Sequence, residues 1–384
     1  MNTLPDTLPQ AEALNRALQH LKDTFVGKDD IADLMGISLV ARENLFLLGP
    51  PGTAKSALVR ELALTLNGRS FEYLLTRFTE PNEIFGPFDI RKLREGELVT
   101  NTEGMLPEAN LIFLDELLNA NSAILNSMLM VLNERVFRRG RERRDLPALM
   151  IVGASNHLPE DEALRALFDR FLLRVRCDYV DPQQMNELLD AGWAIEQKQP
   201  RKPRPELDAE AVLFLQQQLA TVDLQPVRSA FIQLITQLRN AGVPVSDRRA
   251  VKLQRLIAAS ALLCHRRTAL VSDMWVMRYI WDTNEQRELI EGIVNAVVEN
   301  DHSEAAHHPR AKQHERPDPE ALYAEVVQLA EQWNNPDTSF SERAVIKDRL
   351  RFLNGRTAWI ANEVQRNYVQ QPVDELWQKI IQAN

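Results

Sequence analysis

The chain has 384 residues, with 45 Lys and Arg against 54 Asp and Glu and a formal net charge of -9. That length allows about two or three domains with ample core. The acidic balance argues against wholesale electrostatic capture of nucleic acid and leaves room only for a local basic patch.

Met1 to Gln10 carries prolines and an aspartate rather than a basic and then apolar leader, and no run approaches the length of a membrane span. Cys177 and Cys264 are too few and too far apart for a disulfide framework, which fits a reduced compartment. A cytoplasmic protein is expected. From about residue 10 to 180, apolar runs alternate with helical patterns, as parallel βαβ units require. The expected strands are Asn44–Leu48, Phe71–Leu75, Leu111–Leu114, Leu149–Ala154 and Phe171–Val175. Their near-continuous apolar character is that of strands covered on both faces.

The first strand runs directly into Gly49-Pro50-Pro51-Gly52-Thr53-Ala54-Lys55-Ser56, and a helical pattern follows. Successive backbone N–H groups in such a loop form an anion nest, reinforced by the positive end of the helix dipole. Lys55 can reach β- and γ-phosphates and the Ser56 hydroxyl can ligate Mg²⁺, so a nucleoside triphosphate is the expected ligand. A Pro-Gly turn with an incidental Lys-Ser is the alternative, and the strand-then-helix setting disfavours it. The generic pattern has Gly where Ala54 stands, so Ala54 is expected to keep φ below zero.

Leu111-Ile112-Phe113-Leu114-Asp115-Glu116 is an apolar strand ending in paired acids, about sixty residues after the loop. Asp115 can hold Mg²⁺ through water, and Glu116 can act as the base toward an attacking water. Ile151-Val152-Gly153-Ala154-Ser155-Asn156 ends another strand in an amide. Asn156 can orient the water or touch the γ-phosphate; capping the next turn is its simpler role.

Near 181–205 the periodicity breaks at Pro200, Pro203 and Pro205, which cannot continue a helix. From Asp208 to Glu299 the pattern is helical throughout. Glu299 to Pro319 is polar and carries His302, His307, His308 and His314. With no apolar anchor it is expected to be a solvated linker rather than a metal site. The remainder is helical and aromatic, with Tyr323, Trp333, Phe352, Trp359, Tyr368 and Trp377 expected to form the core of a small bundle.

Gly-Pro-Pro-Gly-Thr-Ala-Lys-Ser, Phe-Leu-Asp-Glu, Gly-Ala-Ser-Asn and Phe-Asp-Arg-Phe together resemble the MoxR family of AAA+ ATPases, over about residues 20 to 265. Within it the chain looks closest to the RavA-like and YehL-like subgroups. The resemblance implies an α/β fold, an AAA+ P-loop core with a parallel sheet (1–190) followed by an all-α lid (206–299); the polar linker (300–318) and the small C-terminal helical unit (319–384), read from the residues, lie outside it. It implies ATP and Mg²⁺ as cofactors. Val26-Gly27 then resembles the segment lining the adenine pocket, and Gly49, Pro50, Pro51, Gly52, Thr53, Ala54, Lys55, Ser56 and Ala57 the phosphate loop. Asp115 with Ser56 would hold the metal, Glu116 would be the base, and Asn156 sensor one. Arg170 resembles the arginine finger given to a neighbouring subunit, with Arg165 in reserve; an ion pair of Arg170 with Asp169 is the alternative. Arg248 aligns with sensor two, although Arg249 is adjacent.

The same clade carries hairpin insertions. Phe85 to Val99, with Arg94-Glu95-Gly96-Glu97 as a turn between short apolar strands, is expected to be one. Val136 to Arg144, with Arg138, Arg139, Arg141, Arg143 and Arg144 around Gly140, is expected to be the other, a solvated tip or subunit interface since no aromatic interleaves to stack bases. The resemblance implies a ring of identical subunits, expected to be a hexamer, that remodels a client protein with a von Willebrand factor A domain partner. The alternatives are a nucleic-acid motor, a magnesium-chelatase-like role and an ATP-locked scaffold, the last disfavoured by Glu116, Asn156 and Arg170 together.

Overall fold

The strands form where apolar runs are long enough to be buried on both faces. β1 (Leu45–Leu48), β3 (Leu111–Asp115) and β6 (Met150–Ser155) are almost wholly buried, whereas β2 (Ser70–Leu74) alternates because it lies at an edge. A computed structural model describes residues 8–140, 142–159, 161–197, 203–299, 301, 303, 305–312, 319–334, 343, 346–347, 349–350, 353–354, 357 and 363–382. With β7 (Leu173–Arg176), these strands make a five-stranded parallel sheet in the order β2-β3-β6-β1-β7. Pairing of Leu48 with both Ser155 and Arg176, and of Leu74 with Asp115, brings the strands' carboxyl ends to one edge. Ligands of open α/β sheets bind at that edge.

Helices cover the sheet. α1 (Pro9–Thr24) starts with proline in its first turn and buries Leu14, Leu18 and Leu21. α2 (Asp29–Ala41) is buried nearly all round, and α3 (Lys55–Thr65) leads out of the phosphate loop. Beyond the sheet, the helices Arg228–Asn240, Asp247–Leu263 and Asn284–Val298 pack around a 3₁₀ segment, Val271–Tyr279, while the helix Ala209–Gln218 packs on α1 and α2. Sheet and helical lid share one continuous apolar core. A second, separate core joins Leu322, Val326, Leu329 and Trp333 to Val369, Val373, Leu376 and Ile380. There Tyr323 stacks on the half-exposed Tyr368 with ring centroids 4.6 Å apart; Phe352 and Trp359 lie outside the described residues.

Two expectations are corrected. The Phe85–Val99 segment is not a ladder of two strands: it holds a short helix, Ile90–Arg94, and only the bridge Phe88–Thr100 is strand-like. Asp89 explains this, because its carboxylate caps the helix by accepting from the Arg91 and Lys92 amides, so the backbone is satisfied locally. The Val136–Arg144 hairpin does form, as β4 (Val136–Arg139) and β5 (Glu142–Asp145).

The second correction concerns the polar stretch after residue 299. Its described part is seated on the lid rather than solvated. The Asp301 carboxylate accepts from the Ser272 amide at 2.8 Å, His308 stacks on Trp275 with centroids 4.5 Å apart, and Arg310 pairs with Asp33 of α2 at 2.9 Å. Arg278 donates to the carbonyls of Arg310 and Ala311 at 2.8 and 3.0 Å. Ring and guanidinium contacts do here what an aliphatic anchor does elsewhere, which is why hydropathy did not reveal the docking. Among the described residues no group of His, Cys, Asp and Glu is placed to hold a metal; His302 and His314 lie outside them.

Candidate active site

The phosphate loop leaves β1 through Gly49, and only glycine fits there: a Cβ would lie 2.2 Å from the Cys177 carbonyl oxygen. Gly52 and Ala54 have φ of 80° and 67°, with Thr53 between them on the ordinary side. That alternation turns successive amides toward one point and builds the anion nest. The expectation of a negative φ at Ala54 is therefore overturned. A left-handed alanine costs about 1–2 kcal/mol, which the rest of the loop must offset. Thr53 does part of this: its hydroxyl donates to the Pro50 carbonyl at 2.9 Å, and its own carbonyl accepts from the Cys177 thiol at 3.1 Å.

Lys55 is buried, its ammonium folded onto the Gly49 and Pro50 carbonyls at 2.7 and 2.9 Å. Phosphate oxygens in the nest would compete for those donors. The Ser56 hydroxyl lies 3.5 Å from the Asp115 carboxylate across the edge of the sheet. An all-oxygen pair of this kind suits a hard cation that keeps most of its water, so these residues fit Mg²⁺.

Glu116 follows at φ 51°, a left-handed turn that swings its side chain off the strand axis. Burial, and next the neighbouring Asp115 carboxylate, raise its pKa above the usual glutamate range, while Lys55 and His157 pull it down. A raised base suits proton abstraction near neutral pH. Asn156 stands exposed just past the buried Ser155 at the end of β6. Gly27 (φ 68°), Lys28, Ile31, Arg176, Tyr279 and Arg287 line a cavity of about 190 Å³ beside this edge, next to the Val26-Gly27 segment. Cys177, between Arg176 and Asp178, joins that cavity to the loop through Thr53.

Arg170 lies elsewhere. It precedes β7, and its carbonyl accepts from Asn44, the residue before β1, at 2.7 Å. It therefore sits at the amino edge, a strand's length of roughly 13 Å from its own phosphate loop. Its guanidinium pairs with Asp169 at 2.7 Å. Arg248 also sits near the amino edge, exposed and 3.5 Å from Asn133 at the end of the helix Ser122–Glu134, whose Leu132 carbonyl accepts from Asn44. Arg249 is buried instead, held by Asp282 at 3.0 Å. Arg165 is exposed and, with Phe168, Asp169, Arg249 and Asp282, lines a cavity of about 950 Å³ between the core and the lid.

A family profile described as the MoxR domain of MoxR–vWA–β-propeller ternary systems matches residues 12–217, and one for the AAA lid domain matches residues 227–294. The chain belongs to the MoxR family of AAA+ ATPases. It is 34% identical to the uncharacterized protein MJ0812 of Methanocaldococcus jannaschii over 70% of this chain and 71% of that one. It is also 27% identical to the chaperone MoxR1 of Mycobacterium tuberculosis over 47% of this chain and 48% of that one. A Cytophaga hutchinsonii crystal structure shares the fold, with a TM-score of 0.63 at 19% identity, covering 75% of this chain and 95% of that chain.

In this MoxR chain two side chains join the site that its motifs did not single out. The Asn119 amide donates to the Glu116 carboxylate at 3.3 Å, and His157 contacts Asn119 at 3.3 Å. The available signal was the three-residue spacing from Glu116 to Asn119, one turn of a 3₁₀ helix. Two arginines of the β4–β5 hairpin are committed within the subunit. Arg139 lies 3.8 Å over the Phe88 ring and donates to Gly86 at 3.0 Å, and Arg144 donates to the Thr102 hydroxyl at 2.6 Å. Arg141 lies outside the described residues. No helix among the described residues is long and apolar enough to cross a membrane.

Proposed function

We propose that this MoxR protein hydrolyses ATP at sites completed between copies of itself, in a cytoplasmic ring expected to be a hexamer, and that the cycle remodels a client protein. The observation that carries this reading is the separation of Lys55 and Glu116 at one edge of the sheet from Arg170 at the other. An arginine a strand's length from its own phosphate loop is placed to serve a neighbour's. Its pairing with Asp169 is then a resting contact, with a modest exchange cost at a partly exposed site.

In such a site the nest of Gly52–Ala54 and the Lys55 ammonium bind and orient the phosphates. Ser56 and Asp115 would hold Mg²⁺, whose charge would offset that on the phosphate oxygens. Asn119 holds the Glu116 carboxylate, Glu116 takes the proton of the attacking water, and Asn156 helps to fix that water in line. Arg170 from the neighbouring copy offers a permanently charged fork to the transferring phosphoryl group. Gly27 and the lid's Tyr279 border the cavity that would take the base, so nucleotide binding couples core to lid.

The matched family's description names a von Willebrand factor A protein, which supports one as partner here. The C-terminal unit, with a core of its own, is the candidate docking element. The test is turnover per subunit against protein concentration, with Mg²⁺ and with sizing of the same sample. A rate that rises with assembly and then levels supports the shared site; full activity in a proven monomer removes it.

A further inference from the structure

Behind Arg170 and Arg248 at the amino edge lies a buried cluster around Asp282. Arg174 of β7 is completely buried and donates to the Ile280 carbonyl at 3.1 Å and the Phe168 carbonyl at 3.1 Å. It also pairs with Asp282 at 3.0 Å and lies 4.4 Å over the Phe168 ring. Arg249, from the first turn of the lid helix Asp247–Leu263, takes the other oxygen of Asp282 at 3.0 Å and donates to the Ile280 carbonyl as well. Resting on the shared-site reading above, we propose that Asp282 is a positioning residue that sets Arg170 for the neighbouring copy's site.

The geometry supplies the path. Phe168 ends the helix Glu162–Phe168, and Asp169 and Arg170 follow it directly. Arg174 therefore grips the backbone two residues before Arg170, and Asp282 is the carboxylate that holds Arg174 in place. Two guanidiniums share that one carboxylate, and the Nε of each has no hydrogen-bond partner. Neutralising Asp282 leaves two buried cations facing each other, so they must separate and the grip on Phe168 loosens. Asp169 lies within the electrostatic reach of Arg174 as well as in contact with Arg170.

The test uses a mixture of two full-length chains, each inactive alone under the shared-site reading. Lys55→Ala cannot bind ATP but donates Arg170; Arg170→Ala binds ATP but donates no finger. Asp282→Asn is added to one chain at a time, with co-assembly checked by sizing. In the donor it lowers mixture turnover about tenfold or more, and in the recipient it changes it by less than about twofold. Asp282→Glu in the donor recovers part of the loss. Phe168→Leu in the donor, which leaves every charge in place but removes the ring under Arg174, gives a smaller loss confined to the same arm. Equal loss in both arms, or none in the donor arm, overturns the positioning role. A co-assembled parent mixture without turnover removes the shared-site reading, and this proposal with it.

Discussion

At the carboxyl edge of the sheet the groups that would meet nucleotide are held mainly by backbone: the nest of Gly52–Ala54, the Lys55 contacts to two carbonyls, the turn at Glu116. At the amino edge Arg170 and Arg248 hang on side-chain contacts to Asp169 and Asn133, and the brace behind Arg170 comes from the lid more than a hundred residues later. The first edge is a pre-formed cradle, and the second a face held by side-chain contacts. Under the shared-site proposal, labour divides between them: binding would be built locally, and completion of the site left to a face braced by the lid.

That division predicts different losses when each edge is damaged. Lys55→Ala should abolish both nucleotide binding and turnover, and retained ATP affinity by titration calorimetry would break the cradle assignment. Arg170→Ala should keep ATP affinity within a few-fold while turnover drops by about 10³, the scale of an arginine finger. A parallel loss of affinity would place Arg170 in its own subunit's site. Glu116→Gln should bind ATP, slow hydrolysis by about 10²–10³ and trap the assembled form, as seen by sizing with ATP.

The pH profile sharpens the Glu116 assignment. Its folded pKa is raised, so the reactive carboxylate is lost as pH falls through a value above the ordinary 4.5. The acid limb of turnover should lie above that value and vanish in Glu116→Gln. A smaller effect concerns stability at the docked segment behind the lid. Burial against Trp275 is the main cause that lowers His308 from 6.5 to about 4. The folded form resists protonation, so its contribution is complete above about pH 6.5 and is lost as pH falls toward 4. Integrated, the loss is about 3 kcal/mol. The melting temperature of wild type should fall more steeply over that window than that of His308→Phe, which keeps a ring on Trp275; identical slopes would remove His308 as the cause.

Much of this molecule was legible in its residues because the information is local. Five apolar runs, four of them buried and one half-exposed at the sheet edge, gave the five parallel strands to within about two residues, and a Gly-rich turn between strand and helix is suited to bind an anion. Asp115 and Glu116 were readable for the same reason: a strand that ends in acids must present them at its rim. Ala54 shows the limit, since its left-handed φ is imposed by the nest against its own preference. The sequence could place Arg248 and Arg249 only side by side. A single position of helical rotation sends one to the surface and buries the other against Asp282, and only packing of lid on core chooses between them. The docking of His308 and Arg310 likewise depends on partners, Trp275 and Asp33, distant in sequence. Local backbone chemistry was thus written in order along the chain. Which charged side chain meets which was decided by tertiary structure, because a buried ion pair exists only where two remote elements bring opposite charges together out of water.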